Sequence, residues 1–177
     1  MAAIENVSPL APEGFPDLPV IGGVEFASGE AGVKYSGRKD VCLITLAPGS
    51  AITGTFTKSS TRSANVLDCQ RKLGSDASTG AAFFINSGNS NAFTGHYGQT
   101  SVAELCAAVA AETGIDAGRV FTASTGVIGE PLPEDKIISA LAQLKENLSP
   151  TAWEDAARAI TTTDTYPKGA ARTASIG

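Results

Sequence analysis

The sequence predicts an α+β fold, in which helices cover mixed β-sheets. Short apolar runs rich in β-branched residues lie between glycines in residues 22–57, and again at 81–85 and 119–125, which is typical of strands. Apolar residues at helical spacing dominate the second half of the chain. At 177 residues and 42% hydrophobic content, the chain is long enough to bury one ordinary core. These observations favour one domain of mixed strands followed by helices.

The first 21 residues differ in composition from the rest. They carry four of the nine prolines, at positions 9, 12, 16 and 19. Because proline donates no N–H and disfavours regular structure, residues 1–21 are predicted to be an extended arm on the surface. The domain itself is predicted to comprise residues 22–177.

Several strands are predicted between residues 22 and 57. Segments 24–26 and 33–35 alternate in polarity on either side of a glycine-containing turn, which indicates a hairpin. Segment 41–46 is apolar throughout and predicts a more buried strand. A Pro-Gly turn then leads into a further predicted strand over residues 51–56.

Four helices are predicted, each from an N-terminal signal and an apolar stripe. Glycines at positions 74 and 114 are expected to end the first two. The fourth is expected to turn Trp153, Ala157 and Ile160 inward, so Trp153 is interpreted as a core residue. The predicted starts are Ser60 or Thr61, Ser101 in capping-box spacing with Glu104, Pro131 with Pro133, and Ser149.

Charge and composition argue against several classes of partner. A net charge of −5 disfavours nucleic acid and anionic membranes. Cys42, Cys69 and Cys106 are far apart and His96 is the single histidine, so no metal site is predicted. Three unpaired thiols, no secretory leader pattern and no run long enough to span a bilayer make the cytoplasm the expected location.

The strongest candidate site lies in residues 119–129. The apolar, β-branched start of this stretch predicts a buried strand that ends in a tight turn at Thr125 and Gly126. Backbone N–H groups in such a turn can point at a ligand, Thr125 adds a hydroxyl, and Gly126 lets the main chain come close. The arrangement suits an oxyanion hole. The alternative is a strand end closed by an ordinary glycine turn.

Two further polar segments leave alternatives open. Residues 86–95 follow a predicted central strand and are dense in amides and hydroxyls, which fits either a solvated loop or the lining of a polar pocket. Residues 161–165 place four threonines around Asp164 at a helix end. Their hydroxyls either face a polar substrate or belong to a frayed end, with Asp164 folding back on local N–H groups.

Three stretches, in this order, resemble one known family. The chain resembles the α chain of ornithine acetyltransferase, the bifunctional glutamate N-acetyltransferase family of arginine biosynthesis, from about Gly22 to Lys168. One such stretch alone would be weak evidence, whereas three in order at suitable spacing are specific. The stretches are 86–95 (NSGNSNAFTG), 123–129 (ASTGVIG) and 156–168 (AARAITTTDTYPK).

The resemblance implies an autoprocessed acetyltransferase. In that family a precursor cuts itself before the threonine of an Ala-Thr-Met sequence, and the resulting α and β chains stay associated, here expected as an α2β2 heterotetramer. The first threonine of the β chain is the nucleophile, and its own α-amino group can serve as the base. It takes an acetyl group from N-acetylornithine and passes it to glutamate. No cofactor is implied, although some members also accept acetyl-CoA as donor.

The resemblance also implies roles for particular residues. It places the oxyanion hole on Thr125 and Gly126, and a substrate contact on Thr163. The implied fold is a layered sandwich of mixed sheets covered by helices, with part of its core supplied by the β chain. The Ala-Thr-Met cleavage sequence does not occur in residues 1–177.

Two other functions stay open. A self-cleaving N-terminal-nucleophile amidase or aminopeptidase would share the fold and the threonine or serine nucleophile, but the hydroxyl-rich segment 161–165 favours acetyl transfer. A non-catalytic binding module would need no second chain, and it would expose no large apolar patch.

Overall fold

The computed structural model describes residues 7–175, which fold around a four-stranded sheet. Strands β1, β2 and β3 are antiparallel, whereas β3 and β4 run parallel, joined by a helical crossover. The predicted α+β class is therefore confirmed, with one mixed sheet in the described range. In sheet order the strands are β1 (Val24–Gly29), β2 (Val41–Leu46), β3 (Ala81–Asn89) and β4 (Val120–Val127).

Helices flank the sheet on both faces. Within residues 7–175, none of them has the length and apolar character needed to cross a bilayer. A short 3₁₀ turn at Ala117–Arg119 leads into β4. The α-helices are α1 (Ala64–Lys72), α2 (Gly95–Thr113), α3 (Glu134–Ser139), α4 (Leu141–Glu146) and α5 (Trp153–Ala159).

Each face of the sheet has its own core, because successive side chains of a strand point in opposite directions. Leu43 of β2 packs on one face with Leu105 of α2 and Leu141 of α4, in the largest buried cluster. The adjacent residue, Cys42, packs on the other face with Ala156 of α5. The structure is thus a central sheet between two helical layers.

Helix α5 turns inward a different stripe from the predicted one. Ala156 and Ala159 are buried, whereas Ile160, predicted to face the core, is 42% exposed. Ile160 is the residue that caps the helix, so the helical spacing used in the prediction does not extend to it. Trp153 packs its ring on Phe26 with centroids 4.0 Å apart, as its interpretation as a core residue requires.

The predicted hairpin between residues 24–26 and 33–35 is wrong. Strand β1 pairs with β2 instead, and residues 33–35 belong to the long loop between them. The cause is the buried carboxylate of Asp40, which accepts hydrogen bonds from the backbone N–H groups of Ala31 at 2.7 Å and Val33 at 2.6 Å. These bonds satisfy the loop's donors in place of a strand partner.

The predicted strand over residues 51–56 is also wrong, because this segment forms neither strand nor helix. Its apolar side chains Ile52 and Phe56 pack against a third buried cluster that contains Cys69 and Phe121. The apolar residues that suggested a strand therefore serve to cover the core, and Gly54 between them weakens any strand tendency.

The first two helices do not begin where their caps were predicted. Ser63, rather than Ser60 or Thr61, caps α1 by accepting a hydrogen bond from the N–H of Val66. Helix α2 starts at Gly95, so the predicted start at Ser101 is wrong. The Ser101 hydroxyl bonds within the helix to the carbonyl of Tyr97 and reaches the carboxylate of Glu134 on α3. Gly114 ends α2 in the left-handed conformation, as predicted.

The helix predicted to open at Pro131 and Pro133 is divided in two. Pro133 precedes the first residue of α3, and α4 follows after a break at Ala140. The predicted apolar stripe survives the break: Ile137, Leu141 and Leu144 are buried, and Ile138, its fourth member, is partly buried against the same core.

Residues 7–21 of the predicted arm contain no helix or strand. The N–H of Ser8 donates to the hydroxyl of Thr165, and the Phe15 ring lies directly against Gly169. The segment thus contacts the region after α5. Residues 1–6 lie outside the described part of the chain, and the boundary at residue 22 stays a prediction.

Replacing Asp40 by alanine is expected to lower the free energy of unfolding by about 2–4 kcal/mol, because two backbone donors lose a charged acceptor inside the protein. Urea unfolding followed by circular dichroism would measure the change. Glu104→Ala is the control, because Glu104 is exposed on α2. Equal stability of the two variants would contradict this account of the loop.

Candidate functional site

One pocket brings together the three residues predicted for the site. Thr125 and Gly126 at the end of β4 lie in its wall, together with Thr163 from the segment after α5. Its volume is about 310 Å³. The sheet and α5 thus hold two distant parts of the sequence side by side. The lining residues are Tyr35, Arg38, Gly88, Thr125, Gly126, Val127, Thr162 and Thr163.

Gly126 occupies a position that no other residue fits. Its φ is +137°, and a Cβ there would lie 2.6 Å from both the Asn89 nitrogen and the Gly88 oxygen. Strands β3 and β4 also shift register between Gly88 and Asn89. The predicted tight turn at Thr125 and Gly126 is wrong, because β4 continues to Val127 and both residues pair with the end of β3. Gly126 lets this part of β4 lie directly against the backbone of β3. This close approach exposes the main chain of Gly126 in the pocket wall.

The polar stretch 86–95 is neither a solvated loop nor the main lining of the pocket. Asn86, Asn89 and Asn91 are buried and bond to backbone groups. Asn89 donates to the carbonyls of Glu130 and Pro131, and Asn91 donates to the carbonyl of Gly98. These amides join the end of β3 to the turn after β4 and to α2. The three asparagines thus form a buried scaffold, whereas Gly88 lines the pocket and Phe93 is exposed.

Arg38, which was not among the predicted site residues, also lies in the pocket wall. Its Nη2 donates to the carbonyl of Thr161 and, at 3.3 Å, to the hydroxyl of Ser87. It thereby ties the segment after α5 to β3. No pattern in the sequence singles it out, because it sits in the irregular loop before β2, far from both segments that it joins.

Arg38 also differs in charge pairing from the cations beside it. Lys39 pairs with Asp155 at 2.7 Å, and Arg158 pairs with Glu154 at 2.5 Å. Within residues 7–175, no carboxylate forms an ion pair with Arg38. The pocket therefore carries a guanidinium whose charge the described residues leave uncompensated.

Residues 161–165, after α5, show features of both predicted alternatives, the local fold-back of Asp164 and a threonine that lines a pocket. Asp164 does fold back locally, accepting from the N–H of Thr162 at 3.4 Å and pairing with Lys168. The Lys168 ammonium, hydrogen-bonded to Asp164, holds the pKa of that carboxyl below its usual value. The fold-back leaves Thr163 in the pocket wall. In this segment Asp164 thus stabilises the local structure, while Thr163 lines the pocket.

The described lining offers no obvious general base. None of the eight residues around the pocket is a histidine, cysteine, aspartate or glutamate. His96 is exposed on the first turn of α2, beside Tyr97. In the described range, no three His, Cys, Asp or Glu side chains are grouped as ligands for a metal ion. The pocket is equipped to stabilise negative charge rather than to remove a proton.

The fold and the pocket define an α+β protein with a polar pocket at the end of a parallel strand pair, and comparison with known proteins identifies the family. Residues 25–177 match the family model described as "ArgJ family". The chain belongs to the ArgJ family. The resemblance inferred from the three sequence stretches is thereby confirmed.

Individual relatives agree with this assignment. The chain is 62% identical to the arginine biosynthesis bifunctional protein ArgJ of Ruegeria pomeroyi, over 99% of this chain and 43% of that protein. It is 46% identical to the ArgJ protein of Agrobacterium fabrum, over 97% of this chain and 41% of that protein. The chain therefore spans about two fifths of the length of these relatives.

Two solved structures share the fold. Ornithine acetyltransferase from Mycobacterium tuberculosis, crystallised with ornithine, matches with a TM-score of 0.75 and 31% identity, over 86% of this chain and 91% of that one. The ArgJ protein of Bacillus halodurans matches with a TM-score of 0.72 and 28% identity, over 81% and 74%.

Replacing Gly126 by alanine is expected to lower the free energy of unfolding by about 3 kcal/mol, because positive φ and a clash with the β3 backbone act together. Gly129→Ala is the matched control, since its φ is +79° but a Cβ there has open space around it. It should cost only about 1 kcal/mol. Equal losses in chemical denaturation would show that β3 does not confine Gly126.

Proposed function

We propose that this chain is the α part of an acetyltransferase that moves an acetyl group from N-acetylornithine to glutamate in arginine biosynthesis. A second chain, derived from the same precursor, supplies the nucleophilic threonine and carries the acetyl group between the two half-reactions. The observation that carries the proposal is the meeting of Thr125, Gly126 and Thr163 in one pocket of an ArgJ-family fold.

In the proposed mechanism, Thr125 and Gly126 stabilise the tetrahedral intermediate. Attack of the threonine hydroxyl on the acetyl carbonyl places a negative charge on the carbonyl oxygen. The Thr125 hydroxyl and the main-chain N–H of Gly126 donate hydrogen bonds to that oxyanion, held in place by the packing of β4 on β3. Collapse of the intermediate releases ornithine and leaves acetyl-threonine, which glutamate attacks in the second half-reaction.

The lack of a base in the described lining supports a second chain. The α-amino group of an N-terminal threonine can act as the base for its own hydroxyl, so the nucleophile and its base arrive together. Large apolar side chains are exposed near the pocket end of the sheet, where Phe93 is 82% and Ile128 is 67% exposed. A covering chain would remove them from water. An α2β2 assembly is the proposed form of the enzyme.

The uncompensated guanidinium of Arg38 supports an amino-acid substrate. N-acetylornithine and glutamate both carry an α-carboxylate, which a positive charge in the pocket would attract. We propose no cofactor. Acetyl-CoA is a second candidate donor, because its thioester could also transfer an acetyl group to the threonine hydroxyl and release coenzyme A. The proposed location of the enzyme is the cytoplasm.

A self-cleaving amidase of similar fold is the competing function, and an assay of the full-length enzyme separates the two. Acetyl transfer predicts that N-acetylornithine and glutamate are converted to ornithine and N-acetylglutamate, and that intact-mass analysis finds a second chain beginning with threonine. Release of free acetate at the same rate with and without glutamate would favour the amidase.

Replacing Thr125 by valine is expected to lower kcat about 10²–10³-fold, because the variant keeps the shape of the side chain but loses a donor to the oxyanion. The KM values should change little, since the hydroxyl acts mainly in the transition state. Thr100→Val on the exposed side of α2 is the control. Full activity of the Thr125 variant would remove this residue from the oxyanion hole.

Replacing Thr163 by alanine is expected to raise the KM values for N-acetylornithine and glutamate about tenfold, the effect of one lost hydrogen bond. The acetyl-enzyme should still form and be visible by mass spectrometry. Thr165→Ala serves for comparison, because Thr165 does not line this pocket. Unchanged KM values for both substrates would exclude Thr163 from substrate binding.

A further inference from the structure

A buried carboxamide lies directly behind the pocket. Asn86 of β3 is only 1% exposed and is in register with Ser124 of β4. The Ser124 hydroxyl donates to its Oδ1 at 2.6 Å, and its Nδ2 donates to the carbonyl of Asn89 at 2.8 Å. The amide oxygen therefore bonds across to β4, and the amide nitrogen bonds along β3.

The bond between Ser124 and Asn86 restrains the part of β4 that leads into Thr125 and Gly126. Ser124 immediately precedes Thr125, and its hydroxyl proton is committed to Asn86. The Ser124 oxygen in turn accepts from Nδ2 of Asn65 at 3.2 Å, and the same nitrogen donates to the hydroxyl of Thr122. The Ser124 side chain is thus held from two sides, so it restrains the peptide that leads into Thr125.

The second bond fixes the surface against which Gly126 packs. Asn89 follows the register shift of β3, and its nitrogen is one of the atoms that a Cβ on Gly126 would strike. By holding the Asn89 carbonyl, Asn86 ties this irregular end of β3 to the regular part of the strand. Asn86 therefore holds both Ser124, which precedes Thr125, and Asn89, against which Gly126 packs.

We propose that Asn86 is the positioning residue of the oxyanion hole, holding Thr125 and Gly126 at the geometry that the transition state requires without touching the substrate. The inference rests on the proposed acetyl transfer. Small displacements of preorganised donors weaken transition-state binding much more than ground-state binding. A loss of Asn86 function must therefore appear in kcat rather than in KM.

The test uses Asn86→Asp in the full-length enzyme, with steady-state kinetics of acetyl transfer between pH 5 and 9. Burial disfavours ionisation of the introduced carboxyl, so its ionised form is expected towards pH 9. There the carboxylate accepts from Ser124 but cannot donate to the Asn89 carbonyl, so kcat should fall about 10²-fold while the KM values stay within about twofold. A protonated carboxyl regains the donor. Activity relative to the unmodified enzyme should therefore rise as the pH falls.

Two comparison variants separate positioning from general damage to the fold. Asn86→Leu has no donor at any pH, so its loss of kcat should not recover on acidification. Asn147→Asp makes the same chemical change at an exposed site near the end of α4 and should have the pH profile of the unmodified enzyme. Circular dichroism and urea unfolding confirm that each variant is folded.

Each outcome decides the inference. Recovery of kcat at low pH in Asn86→Asp alone supports it, whereas an unchanged kcat at pH 9, a change mainly in KM, or no recovery on acidification overturns it. If Asn86→Asp does not fold, Ser124→Ala decides instead: a kcat loss of about tenfold at constant KM supports the inference, and an unchanged kcat overturns it. No acetyl transfer by the unmodified enzyme would overturn the proposed function and this inference together.

Discussion

The close contact between the ends of β3 and β4 is the constraint on which the rest of the pocket depends. Gly126 packs so tightly on the backbone of Gly88 and Asn89 that no side chain fits between them. A parallel pair of strands diverges or ends where one chain turns away, yet here the chains remain in contact through a register shift. That contact fixes the main chain of Gly126 in the pocket wall. It also sets where Thr125 can present its hydroxyl.

Holding this contact requires buried polar groups, which cost free energy unless they are hydrogen-bonded. Asn86, Asn89 and Asn91 meet that requirement through carbonyl partners on three different segments. Apolar side chains in these positions would cost less free energy to bury. They would hold the backbone less specifically, because hydrogen bonds define direction as well as distance. The three asparagines therefore form a rigid support for the end of β4 at Thr125 and Gly126.

Hydrophobic periodicity correctly predicted the strands and helices whose apolar side chains form the core. It failed where the backbone is held by hydrogen bonds from residues that are distant in sequence. Strand β2 and the strand leading to Thr125 were found because apolar runs define them. The hairpin was misassigned because the hydrogen bond that the Ala31 N–H donates to the Asp40 carboxylate leaves no local sequence pattern. Thr125, Gly126 and Thr163 were grouped only through family resemblance. Arg38 was missed because its partners lie far away in sequence.

The pocket lining supplies groups suited to binding negative charge but no group suited to removing a proton. In the proposed enzyme, the second chain supplies that missing base together with the nucleophile. The lining provides hydroxyls, a main-chain surface at Gly126 and the charge of Arg38, groups that are chemically suited to stabilising negative charge. A base of low pKa beside Arg38 would be held in its ionised form, and its charge would oppose the developing oxyanion. An N-terminal amine avoids that conflict, since it is neutral when it accepts the proton and positive afterwards. In the proposed mechanism, a nucleophile on a separate chain would therefore let the same end of β4 serve both half-reactions.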